Sequence, residues 1–152
     1  MNDVLENAII VIALTLIVII PVVLINISSA KRRRKRGFDK FAEVCTAQRL
    51  KISEPDYFGM KLIGADTEKR VLVFINNYLA EPAVDVVDLS DFSRCSILKK
   101  SNGQDVAELG LEFEGQNGKS QRILFYKQYK DKESFLKVYT QKAEEWQRKL
   151  AM

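Results

Sequence analysis

The chain contains no histidine among its 152 residues. That absence excludes Ser-His-Asp and Cys-His nucleophile systems, HExxH zinc sites and every other histidine-ligated metal centre. Cysteine is nearly as scarce. Cys45 and Cys95 stand far apart, with no CxxC and no repeated spacing. Two free thiols in a reducing compartment are the expected state, although the spacing alone leaves a single disulfide open. Neither GxxxxGK[ST] nor GxGxxG occurs, so phosphate-cradling loops have no support. No cofactor, no metal and no catalytic residue are expected.

Charge is missing from one long stretch. Ala8 to Ile27 carries none, and Thr15 and Asn26 are its only polar residues. As a helix it spans roughly 30 Å, the hydrocarbon thickness of a bilayer. A small soluble domain rarely buries so long a helix that is apolar on every face. A cleaved signal peptide would start with a basic region, whereas MNDVLEN has Asp3 and Glu6 and no Lys or Arg. The stretch reads as a transmembrane helix over 8–27, with Pro21 inside it as a local kink that bilayers tolerate.

Six basic residues follow: Lys31, Arg32, Arg33, Arg34, Lys35 and Arg36. Basic residues beside a span stay cytoplasmic. The expected topology is a single-pass protein of the cell membrane, with residues 1–7 outside and the C-terminal domain cytoplasmic. The same hexamer is attracted to anionic headgroups, by about 1 kcal/mol per residue. A nucleic-acid reading fails on charge. The hexamer holds six of the 24 basic residues, and Asp3 and Glu6 are two of the 20 acidic ones, leaving 18 of each from Gly37 onward. A nucleic-acid binder carries its excess charge on the folded part.

Residues 28–55 read as the basic juxtamembrane segment and a connecting helix, with Phe38, Phe41 and Cys45 facing inward, and residues 56–152 as one cytosolic domain. Period-two patterning then marks six strands. Met60–Ala65 and Arg70–Ile75 flank a hairpin at Asp66-Thr67-Glu68-Lys69, and Val71 to Ile75 is apolar throughout, as in a strand covered on both faces. Val84–Leu89 comes next. Arg94–Lys100, Ala107–Phe113 and Gln121–Tyr129 form a meander whose first turn holds Asn102-Gly103, the strongest short hairpin signal. A helix over about 132–150 closes the chain, with Asp131 as N-cap and Phe135, Tyr139, Ala143, Trp146 and Leu150 as its apolar stripe. The fold class is α+β: a transmembrane helix, a mainly antiparallel β domain and a closing C-terminal helix.

Antiparallel strands, a late meander and a terminal helix bearing Trp146 resemble the pleckstrin-homology-like superfold over Tyr57 to Leu150. The resemblance implies a barrel or sandwich, and a binding or scaffolding module in place of a catalyst. Inositide-binding members of that superfold use a basic first hairpin loop. Asp66-Thr67-Glu68-Lys69 is predominantly acidic here, so lipid recognition of that kind does not carry over.

Asp85, Asp88 and Asp91 are the one carboxylate series that could serve a hard cation. On a strand Asp85 and Asp88 point to opposite faces, which defeats convergence. Glu108, Glu112 and Glu114 read as a solvated face or an acidic docking surface. The expected function is a single-pass membrane protein presenting a small interaction domain to a protein or peptide partner; the alternative is a membrane-tethered hydrolase using carboxylates.

Overall fold

The structure, a computed structural model, describes residues 2–78 and 81–151. The chain divides into two compact units, residues 1–35 and 36–152. The first is helical. Helix α1 (Asn2–Ala47) contains Pro21 without interruption and contributes its final turns to the second unit. Within α1 lies one segment long and apolar enough to cross a membrane. Its side chains are exposed on all sides, Val11, Ile17, Val18 and Ile25 among them. The hydroxyls of Thr15 and Ser29 donate to the carbonyls of Val11 and Ile25, at 2.7 and 2.8 Å. Neither hydroxyl therefore opposes burial in lipid.

The second unit has an α+β fold. Strands β1 (Asp56–Phe58), β2 (Lys61–Asp66), β3 (Val71–Asn76) and β4 (Ala83–Asp88) form an antiparallel sheet in that order. Strands β5 (Phe92–Asn102), β6 (Asp105–Gly115) and β7 (Ser120–Lys127) form a second antiparallel sheet. Helix α2 (Leu136–Lys149) follows a short 3₁₀ turn at Glu133–Phe135. The two sheets face each other as a sandwich, and the barrel alternative is corrected: no backbone ladder joins them among the described residues. A side-chain stitch does connect them, the Gln121 amide donating to the carbonyl of Val86 at 3.2 Å.

Strand alternation explains the two layers of core. Ile63, Leu72 and Phe74 point inward to join Leu109, Leu111, Phe113, Ile123 and Phe125, with Tyr139, Ala143 and Trp146 of α2 closing the cluster. Leu62, Val73 and Ile75 point the other way and pack on Phe41, with Phe38 and Cys45 half-buried beside them. Both faces of β3 are thus covered, as its unbroken apolar run requires. Gly64 makes the outer layer thin, because a Cβ there would lie 2.7 Å from the Phe41 ring and from Ile52. Gly110 has a comparable role at the β6–β7 bulge, where a Cβ would lie 1.9 Å from the carbonyl oxygen of Ile123.

Three boundaries differ from expectation. The segment expected as a separate connecting helix from Phe38 belongs to α1, since nothing between Ile27 and Ala47 breaks a helix except the tolerated Gly37. Strand β1 has only three residues, too few to show a period. Helix α2 starts at Leu136 with Phe135 as its N-cap and no side-chain cap. Asp131 is not the cap. Its carboxylate accepts from the Lys61 ammonium at 2.5 Å and from the Lys127 backbone N–H at 2.9 Å.

Candidate functional site

The basic hexamer occupies consecutive positions of α1, and all six side chains are exposed. Successive helical residues are rotated by about 100°, so six in a row ring the helix with positive charge. Such a ring attracts anionic surface from any direction around the axis.

In the second unit β5 is one of the outer strands of the two sheets. Among the described residues β5 pairs with β6 alone, and the end of α2 lies near its first residues. A groove of ≈ 280 Å³ lies there, lined by Arg94 and Cys95 of β5 and by Gln147, Arg148 and Ala151 at the end of α2. Cys95 alternates inward with Ile97 against the core, which leaves the Arg94 side chain outside. Arg94 pairs with Glu114 at 3.8 Å, an exposed contact that holds the guanidinium only weakly. Arg148 donates to the carbonyl of Glu144 at 3.3 Å. Burial pushes the Cys95 thiol up to about 11, so it stays protonated at neutral pH and lines the groove as a small apolar group. Chemically the groove offers two guanidinium side chains, the Gln147 amide and the Cys95 thiol.

The edge of β4 is less suited to adding a strand. β4 has six residues, carries Asp85 and Asp88, and has one carbonyl already taken by Gln121. Asp88 accepts from the Ser90 hydroxyl and, at 3.0 Å, from the Ser90 N–H, capping the 3₁₀ turn at Leu89–Asp91, and these bonds, the hydroxyl's first, hold its carboxyl below the usual range. Asp91 pairs with Lys119. Asp85, Asp88 and Asp91 are therefore not brought together. No group of three or more cysteine, aspartate or glutamate side chains gathers to hold a metal among the described residues.

The acidic face of β6 is not an open docking surface. Glu112 pairs with Arg122 at 2.6 Å, Glu108 lies between Lys100 and Lys127 at 3.3 and 3.5 Å, and Glu114 faces Arg94. These are cross-strand pairs to β5 and β7, the sheet equivalent of helix i,i+4 pairs. Cys45 and Cys95 are both free thiols.

The sequence reading expects an exposed strand edge, or a groove between that edge and the C-terminal helix, as the interface for an extended peptide, but names neither the strand nor its residues. In the sequence Arg94 reads only as the start of a strand, and Arg148 only as part of the closing helix. The sole local signal was an arginine at the start of a long, charged strand. No family model, curated protein or solved structure matches the chain.

Proposed function

We propose that this is a single-pass membrane protein whose cytosolic domain, of the pleckstrin-homology-like kind, binds an extended peptide segment of a partner along β5. In this reading the N-terminus lies outside the cell membrane and the hexamer Lys31–Arg36 rests on anionic headgroups. The domain acts by binding and catalyses nothing. Four strands facing three, with one terminal helix across the core, support the fold assignment. One observation carries the function: the groove between the open edge of β5 and α2, with Arg94 and Arg148 at its rim. Strand addition takes its affinity from main-chain hydrogen bonds and its selectivity from side-chain contacts beside them. The two arginines select carboxylates, so the partner segment is acidic. Tethering compensates for a small interface, because it raises the local concentration of the domain near membrane-bound partners.

Amide hydrogen exchange on the full chain in nanodiscs tests this. A pool of extended eight-residue peptides carrying two or three glutamates should slow exchange along β5 by roughly tenfold or more, for added ladder bonds. The Arg94→Glu/Arg148→Glu double variant should lose that protection. Protection confined to β4, or none anywhere, would sink the reading.

A further inference from the structure

Large apolar side chains are seldom exposed in the second unit. Among its described residues four are, Tyr78, Tyr129, Phe135 and Val138, and three of them gather at the end where α1 enters the domain. A Cβ on Gly37 of α1 would lie 2.9 Å from the side-chain nitrogen of Asn77, the residue before Tyr78. The Asn77 backbone N–H donates to the carbonyl of Met60 at 2.9 Å. Phe38 packs its ring on Tyr57 with centroids 5.8 Å apart, and the Tyr57 hydroxyl donates to the Met60 sulfur at 3.6 Å. The next residue back, Gly59, accepts the Tyr139 hydroxyl at 2.9 Å, and the Tyr139 ring lies 6.0 Å from that of Phe135. Val138 neighbours Phe135 on one face of α2. Phe38, Tyr57 and Met60 are half-buried, so they join the three exposed side chains into one apolar strip. We propose that this strip rests on the lipid surface and holds the domain against the bilayer.

Its place in the chain names the occupant. Gly37 follows the basic hexamer directly and lies ten residues after Ile27. Ten residues of helix are about 15 Å long, of which a headgroup layer takes about 5–7 Å. The inference thus rests on the proposed membrane span, which tethers this end of the domain close to the headgroups. A helix tilt of about 20°, the average in bilayers, lowers one side of a tethered domain onto the surface. The strip also has the chemistry of an interfacial contact. Tyrosine places its ring among apolar groups and keeps its hydroxyl wet.

The charges beside the strip are paired within the domain, Lys61 with Asp131 and Lys142 with Asp56. Long-range attraction is left to the hexamer and is screened by salt. The strip adds an apolar contact that salt does not screen. It also leaves the peptide groove accessible. Arg148 lies thirteen residues along α2 from Phe135, about 20 Å of helix.

The test uses the full chain in nanodiscs of phosphatidylcholine brominated near the headgroup end of its acyl chains, read by tryptophan fluorescence. Tyr78→Trp and Phe135→Trp each place an indole in the strip, and Gln147→Trp places one at the groove. The wild-type chain reports the core Trp146 alone. An indole within about 5–10 Å of the acyl boundary should lose roughly half its emission to the bromines. Both strip variants should show that loss, in high salt and without anionic lipid, while the wild-type chain and Gln147→Trp should not. Absence of quenching in the strip variants, or equal quenching of Gln147→Trp, would overturn the contact. Quenching that requires phosphatidylserine and vanishes in high salt would also overturn it, because the hexamer alone would then hold the domain down. A chain that fails to enter the discs would overturn the span and this contact with it. Peptide protection along β5 is read separately, so its outcome is distinguishable from either.

Discussion

Asp66 shows how much one side chain holds in this domain. It ends β2 and is almost fully buried at 1 % exposure. One carboxylate oxygen accepts the Lys51 backbone N–H at 2.6 Å, and the other accepts that of Lys69 at 2.9 Å. The first bond ties the segment after α1 to the sheet, and the second shapes the β2–β3 hairpin. Those N–H groups, Lys51 foremost and then Lys69, hold the carboxyl below its usual range. The sign of the linkage follows. A carboxyl with a lowered folded pKa stabilises the fold above the ordinary carboxylate range, and that contribution is lost as pH falls through the folded value. The melting temperature of the full chain should therefore fall on acidification below about pH 4. Asp66→Asn should melt lower at neutral pH and show a flatter acid limb. An acid limb identical in both proteins would remove Asp66 from this role.

At the scale of elements, α2 closes the sandwich through its stripe of Tyr139, Ala143, Trp146 and Leu150, all buried. Trp146 also donates its indole N–H to Asp56 at 3.2 Å, and Lys142 pairs with the same carboxylate at 2.9 Å. Trp146→Ala should cost roughly 3–5 kcal/mol, enough to unfold a marginal domain. A thermal melt of the full chain in detergent reads this directly, and an unchanged melting temperature would place Trp146 outside the core. The stripe was legible in the sequence because its spacing is helical and nothing else competes for those residues. The same holds for β6, whose apolar positions alternate with paired glutamates, and for the Asn102-Gly103 turn, where Gly103 has φ +67°. The start of α2 was not legible. Asp131 has the chemistry of an N-cap, but a buried Lys61 seventy residues away takes its carboxylate, and no local pattern announces that. The residues that line the groove were hidden for the same reason. Arg94 and Arg148 meet only through the packing of α2 against the second sheet. Strand β1 was too short to show a period, and with it Asp56 escaped notice as the residue that anchors α2.

In the proposed function the two units divide the work between attachment and recognition. The first holds one apolar segment fit to span a bilayer and most of the basic ring, and the second holds the groove beside β5. The account's central claim is that the first unit fixes the second on the cytosolic side of the membrane. The most direct measurement is trypsin treatment of intact and of permeabilised cells, because the hexamer Lys31–Arg36 is a run of six tryptic sites. The account predicts that intact cells keep the chain whole, and that permeabilised cells release a soluble fragment beginning near Gly37. Release of that fragment from intact cells would contradict it.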